Sequence, residues 1–448
     1  MKQAVRRTDC TTIEKGSSNG AEGSTSPGMW SWAFFDWGSN SYATIVLTFV
    51  FATYFSQMVA GDEVTGAALW ATTLGVTGIL VGIGGPLLGA IVDQTGRRKP
   101  WIAGFSLVCI LATASLWLVK PSVEYVILAL LLVSIGEIGM EYAGVFYNAM
   151  LPRLVNSKRM GRWSGWGWSM GYLGGLLALV AALTVITHGE QWFGLDEQTA
   201  EPVRATFFLA AAWFALFSLP LFLFTPDQPG TGKALGLAVR DGIWQLGQSI
   251  RQAREYSYIV RFLIARLLYI DGLATVFIFG GVYAAGAFGM NPREVLVFGI
   301  VVNITAGLGA ACFAWIDDWF GSKKTILLSL SGLIITGSVI VLTESVILFW
   351  VSALVLGIFV GPVQAASRTY MGRVAPEALR NQMFGLYALS GKVAFFCPLF
   401  VGAVTYLADS QRAGMSVALL FFAAGFAVLL KVPEASDIQQ VNDPGKSV

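Results

Sequence analysis

Glu137, Glu141 and Lys392 are the residues whose types and placement carry the most chemistry. Each falls inside a long apolar stretch. An ionisable group there is costly and by default marks a transport or relay pathway. Glu137 and Glu141 stand one helical turn apart. With Gly144 and Asn148 they form a stripe at i, i+4, i+7 and i+11. A carboxyl group in hydrocarbon favours its protonated form, which suits a proton carrier. The alternative is a structural carboxyl paired with a neighbouring helix or set in a wet crevice. Lys392 follows Gly391, a kink or close-packing point. Its ammonium needs a counter-ion or an anionic ligand. It reads as a carboxylate receptor, as a gate partner of Glu137 or Glu141, or as half of a structural pair within its own half of the chain.

Asp36 and Asp271 open two further apolar stretches at similar places in the two halves. Each is followed four residues later by a polar side chain, Asn40 and Thr275. They read as inner-mouth gates, as ligands of a coupling ion, or as compensation for helix N-termini. Gln364 and Arg368 form an i, i+4 pair near the end of another stretch. Arg368 reads either as a loop or lipid-facing cation or as a cavity residue. Other chemistries are excluded more easily. His188 is the only histidine, which removes His-based triads and multi-histidine metal sites. Cys10, Cys109, Cys312 and Cys397 make no CxxC pair and read as small hydrophobes, with no disulfide framework. No enzyme activity, metal or cofactor is expected. No GxxxxGK[ST] sequence occurs, so ATP is not the expected energy source.

The elements that hold these residues follow from composition. Of 448 residues, 55% are hydrophobic and 12% charged. A soluble domain carries about 25% charged residues, so the chain needs lipid as its solvent. Twelve segments are long and apolar enough to span: 32–59, 66–91, 101–119, 123–149, 164–187, 205–224, 263–287, 294–316, 325–342, 346–366, 382–407 and 414–431. With the N-terminus placed in the cytoplasm, 23 of the 29 Lys and Arg residues fall on inner segments and 4 on outer loops. That asymmetry predicts both termini in the cytoplasm. The net charge of +2 and the lack of a long basic run give no reason to expect nucleic acid.

The expected organisation is a disordered cytoplasmic tail over 1–29, a six-helix bundle over 30–224, a cytoplasmic linker over 225–262, a second bundle over 263–431 and a tail over 432–448. Residue 1 is not followed by a secretory signal pattern. Within the linker, Leu235, Val239, Ile243, Leu246 and Ile250 recur at helical spacing. They predict an amphipathic helix that lies on the membrane or simply joins the bundles.

The halves also echo each other. Gly89, Asp93, Gly96, Arg97, Arg98 and Lys99 are matched 225 residues later by Asp318, Gly321, Lys323 and Lys324. In each copy an acid precedes a glycine by three residues, and cations follow. Glycine permits the tight turn, and the acid faces a helix N-terminus or a cation. Gly165 and Gly171 are echoed by Gly385 and Gly391 at an offset of 220.

The run Gly89-x-x-x-Asp93-x-x-Gly96-Arg97-Arg98-Lys99 resembles the signature loop of the major facilitator superfamily, with Gln94 where arginine is usual. Three longer stretches sharpen the likeness: Trp32 to Ala43; Phe146 to Pro152 continuing to Gly165–Gly175; and Gln364–Arg368 continuing to Phe384–Lys392. They resemble the vacuole-effluxer-like branch, whose yeast member exports amino acids from the vacuole. The resemblance covers nearly all of residues 30–431. It implies an all-α membrane fold of twelve helices in two six-helix pseudo-repeats, with a midplane site between them.

The expectation is a monomeric secondary transporter working by alternating access. A small polar solute, an amino acid by resemblance, would move with protons. Sugars, peptides or other metabolites are alternatives. The rival of another class is a non-transporting receptor or scaffold. The membrane would be the inner membrane of a bacterium or the vacuolar membrane of a fungus.

Overall fold

The computed structural model describes residues 26–251, 256–392 and 396–442. The tail expected over 1–29 lies outside the described residues as far as residue 25, and the C-terminal tail does so from residue 443.

Among the described residues, twelve helices are long and apolar enough to cross a membrane. Spans 1 to 6 are Ser26–Val59, Glu63–Thr95, Lys99–Leu118, Val123–Leu154, Ser157–Phe193 and Glu201–Phe224. Spans 7 to 12 are Ser257–Phe288, Arg293–Phe320, Ser322–Leu342, Val346–Val374, Glu377–Ala408 (described as far as Lys392 and again from Phe396) and Gln411–Ile438. Most run past the apolar segments that announce them. Apolar windows mark only what hydrocarbon must cover, whereas the helix continues until a cap or breaker stops its hydrogen-bond ladder. Span 2 stops at Gly96 (φ 81°) and span 8 at Gly321 (φ 92°), both in the left-handed region that favours glycine. Side chains at the remote ends cap the starts of other spans. Asp62 accepts the Thr65 N–H at 2.9 Å, and Asn291 and Glu294 form a capping box. The Thr65 hydrogen bonds hold the Asp62 carboxyl below its ordinary pKa. Large apolar side chains such as Leu342, Ile347 and Leu407 are exposed, as a lipid-facing surface requires.

The two sets of six spans meet along two crossings. Span 2 crosses span 11 at Gly85 and Gly385. A side chain on Gly385 would meet the Gly85 carbonyl oxygen at 2.4 Å. Span 5 crosses span 8 at Gly165, where a side chain would meet the Ala310 carbonyl oxygen at 2.5 Å. The 220-residue echo therefore places one glycine at each crossing, where backbones approach as only small residues permit.

The turns after spans 2 and 8, the turns between spans 4 and 5 and between spans 10 and 11, and the inter-half linker gather at one end, here the basic end. The predicted linker helix forms over Leu235–Arg251. It docks on span 2 rather than lying free. Ala238 is buried, and Gly242 sits so close that a side chain there would lie 2.9 Å from the Ile91 nitrogen. Span 1 is interrupted by π-helical turns over Tyr42–Phe49 and Phe55–Val59. Such turns often mark functional positions.

Candidate functional site

Each half contributes one acid to a clamp at the basic end. Asp93, closing span 2, accepts the backbone N–H groups of Asn381 (3.1 Å) and Gln382 (3.0 Å) and the Asn381 amide at 2.7 Å. It thus caps the start of span 11 in the other half. Asp318, closing span 8, accepts the N–H groups of Gly161 (2.8 Å) and Arg162 (3.2 Å) and so caps span 5. Both acids face helix N-termini across the interface, where a carboxylate meets unsatisfied N–H groups and the positive dipole end. Cations reinforce the clamps. Arg98 Nε donates to Asn381 Oδ1 at 2.8 Å, Arg373 reaches Asp317 at 2.6 Å and Asp318 at 3.3 Å, and Arg153 pairs with Glu377. Burial, with Arg380 close by, lowers the Arg98 guanidinium to about 10, which leaves it charged at neutral pH.

The remaining residues of the signature loop secure the linker or the turn. Asp227 accepts the N–H groups of Arg98 and Lys99 at 3.1 Å each. Gln94, the departure from the usual arginine, pairs with Gln245 of the linker helix and with Lys233 at 2.5 Å. Arg97 packs its side chain beside Gly230, and Gly89 lies under the Asn381 carbonyl. In the second copy, Lys323 donates to the Glu434 carboxylate and to the Leu430 carbonyl, and Gly321 packs beside Glu434.

Deeper in the bundle the structure brings Glu137, Glu141 and Lys392 together. Lys392 Nζ lies 2.6 Å from Glu137 Oε1 and 2.8 Å from Glu141 Oε1. The carboxylates belong to span 4 and the ammonium to span 11, so the group bridges the halves. Glu137 is buried, and its Oε2 has no partner among the described residues.

Nearer the basic end lies a second inter-half pair. Arg368 Nη1 of span 10 is 3.0 Å from Asp36 Oδ2 of span 1 and 3.2 Å from Asn148 Oδ1 of span 4. The helix continues through Arg368 to Val374, so this residue is a buried interface cation and not a loop residue. Composition alone left it between those readings. The spacing Trp32-x-x-x-Asp36, which sets an indole and a carboxylate on one helical face, is the signal that points to it.

The other candidates go elsewhere. Asp271 lies midway along span 7, because that helix begins at Ser257. Its Oδ2 accepts the N–H groups of Phe396 (3.0 Å) and Cys397 (2.9 Å), capping the helix Phe396–Ala408. Gln364 donates to Tyr172 Oη at 2.9 Å, which joins spans 10 and 5. Asn40 donates to the Asp36 carbonyl of its own helix and also lines a cavity of about 380 Å³.

That cavity lies between the halves on the side remote from the basic end. It is lined by the π-helical stretch of span 1 (Ala43, Thr44, Thr48, Phe49), by Tyr172, and by residues of the second half including Tyr283, Asn303 and Phe349. No charged side chain is among its described lining residues. Its polar groups are amides and hydroxyls, a pattern that orients a solute within mostly apolar walls. Charge and cavity are thus segregated. The lysine triad and the arginine pair lie outside this lining, whereas Tyr172, the partner of Gln364, belongs to it.

Comparison with known proteins agrees with this architecture. A family model described as "Vacuole effluxer Atg22 like" matches residues 24–442. The MFS-type transporter YxiO of Bacillus subtilis is 27% identical over 420 residues, covering 92% of this chain and 97% of that protein. Autophagy-related protein 22-1 of Penicillium rubens is 27% identical over 272 residues, 54% of this chain and 44% of the fungal protein. The chain therefore spans less than half of that fungal relative. Among solved structures, the proton:xylose symporter XylE superposes with a TM-score of 0.71 at 12% identity, covering 91% of this chain and 96% of XylE. The Escherichia coli fucose:proton symporter FucP gives 0.70 at 13% identity, covering 91% and 98%. At those identities the likeness is one of fold.

Proposed function

Because this chain belongs to the Atg22-like vacuole effluxer family of major facilitator transporters, we propose that it moves a small polar solute across the membrane, in the sense of efflux, by proton-coupled alternating access. It is an integral membrane protein with twelve spans. The observation that carries the coupling is the triad of Glu137, Glu141 and Lys392. Two carboxylates share one ammonium, so the fully ionised group holds one uncompensated negative charge in a low-dielectric interior. That charge is costly. A proton on either glutamate removes it. When spans 4 and 11 separate, Lys392 leaves both carboxylates, and each then needs a proton or a cationic group. Separation of the halves is in this way tied to proton uptake.

The two six-helix sets, 30–224 and 263–431, are the moving bodies. Asp93 and Asp318 latch the basic end, which faces the cytoplasm with both termini, as the 23 to 4 division of cations supports. Asn40 and the hydroxyls of the cavity hold the solute. An amino acid is the favoured cargo on the resemblance to the vacuole-effluxer-like branch; the family model is described as a vacuole effluxer. The protein acts as a monomer, and its membrane is the cell membrane of a bacterium, a placement that the Bacillus protein's match over nearly its whole length supports.

The test is flux of labelled amino acids into proteoliposomes under an imposed pH gradient. Gradient-driven flux falls at least about tenfold in Glu137→Gln and in Glu141→Gln, the scale expected when a proton-transfer group is lost. Gradient-dependent flux that survives both substitutions rejects proton coupling at this site.

A further inference from the structure

Arg368 is carried by the second half of the molecule, yet its side chain is satisfied by the first. Nε donates to Ser164 Oγ at 2.9 Å and Nη2 to the Ser164 carbonyl at 2.7 Å. Nη1 donates to Asp36 Oδ2 at 3.0 Å and to Asn148 Oδ1 at 3.2 Å. Three aromatic rings complete the enclosure. The guanidinium carbon lies 5.0 Å from the Trp32 ring, 5.8 Å from Trp168 and 5.9 Å from Tyr147. All six of these neighbours belong to spans 1, 4 and 5.

The enclosure is built rather than incidental. Trp32 and Tyr147 stack at 4.6 Å, with the Trp32 indole N–H donating to the Tyr147 carbonyl, so the two rings are fixed before any cation arrives. Gly167 supplies the room. A side chain there would lie 2.7 Å from Asp36 Oδ2, 2.9 Å from Arg368 Nη2 and 3.1 Å from Trp32. A carboxylate, an amide oxygen, a hydroxyl and a carbonyl arranged around a planar fork, with aromatic faces beside it, form a receptor for guanidinium. Desolvated cation–π contacts add to its affinity.

We propose that this pocket of the first half is a binding site for organic cations bearing a guanidinium or ammonium group, which Arg368 plugs while the basic end is closed. The proposal rests on the alternating-access reading in one respect. Opening of the basic end withdraws span 10, and with it Arg368, from the other half. The vacated cage then faces the basic-end mouth with its carboxylate and rings in place. A free organic cation that fills it stabilises the open arrangement, because it gives the half-buried Asp36 carboxylate a partner in place of Arg368. Arg368 and the cation compete for one cage.

The first test uses purified full-length protein in detergent, with methylguanidinium as the probe. N-Methylurea, its uncharged isostere, and sodium chloride at equal ionic strength serve as controls. Arg368→Ala empties the cage. Its thermal midpoint rises with methylguanidinium at concentrations at least about tenfold below those that affect the wild type, a difference of about 1.4 kcal/mol in binding. Neither control does this, and the response disappears in Asp36→Asn/Arg368→Ala and in Gly167→Val/Arg368→Ala. Equal responses in wild type and Arg368→Ala, or a response that survives Asp36→Asn, overturn the proposal.

A second measurement leaves Arg368 in place, so that it does not depend on the folding of that variant. In proteoliposomes, agmatine supplied on the basic-end side speeds labelling of an Ala365→Cys reporter, at the buried contact between spans 10 and 5. Labelling unchanged by agmatine rejects the site in the native protein. Neither readout requires flux. A protein that passes both but carries no solute under any gradient keeps the cage and loses the transport reading; the reverse result loses the cage alone.

Discussion

Lys392 answers two carboxylates and Arg368 answers one, and this difference sets what each substitution does. Lys392→Met leaves Glu137 and Glu141 facing each other without a cation. Breaking a fully buried pair from one side costs about 3–5 kcal/mol; Lys392 and Glu141 are each 28% exposed, so the cost here is smaller. Adding Glu137→Gln removes the more buried of the stranded charges, so the double variant is more stable than Lys392→Met alone by at least about 1 kcal/mol. Thermal or denaturant unfolding of the purified variants measures this. A double variant no more stable than the single would mean that the triad exerts no electrostatic coupling. Glu137, Glu141 and Lys392 were legible in the sequence because each is an isolated charge deep in an apolar run. The arginine of the second pair was not. It stands where span 10 passes out of its apolar window, and a hydropathy reading cannot tell a cation entering a loop from one turning into an interface. Asp271 was legible as a buried acid but not in its task, since its partners are backbone N–H groups 125 and 126 residues away.

At the scale of elements, helical spacing foretold the linker helix but not what would cover it. The apolar stripe of Leu235–Arg251 fits either a membrane surface or a protein groove. Gly242 decides the matter, because the helix meets Ala90 and Ile91 too closely for any side chain. Ile243 and Trp244 meanwhile remain exposed. Gly242→Leu therefore undocks the helix and breaks the Gln94–Gln245 bond while leaving every residue of both bundles unchanged. Limited trypsin digestion reads the outcome: cleavage at Lys233 and Arg240 accelerates at least about threefold, as expected where docked backbone gains local freedom. An unchanged cleavage rate would show that the helix is held by its ends alone. The span crossings were more legible. The glycine echo at 165 and 385 appears in the sequence because a backbone-to-backbone approach demands the same small residue in both repeats.

For the molecule as a whole, the two clamps make a prediction that separates a switch from a simple weakening. Asp93 and Asp318 cap helices in opposite halves, at two different crossings, and both act at the basic end. Removing a cap costs about 1 kcal/mol, which shifts a two-state balance about fivefold. Because the clamps share no partner, their effects add, and Asp93→Ala/Asp318→Ala shifts the balance about 30-fold. The Asp318 arm has the larger effect, since Arg373 also loses a partner there. Two cysteine reporters, placed one at a time with the native cysteines replaced, read the direction. Ala365→Cys lies at the closed basic end, and Asn303→Cys lines the cavity remote from it. If the clamps hold one of two arrangements, their loss makes Ala365→Cys label faster and Asn303→Cys label more slowly, because the bundle opens at one end as it closes at the other. If they only stiffen the fold, both reporters label faster. The opposed response belongs to a pair of rigid six-helix bodies rocking about their crossings, and two reporters moving together would remove the alternating-access reading while leaving the fold intact.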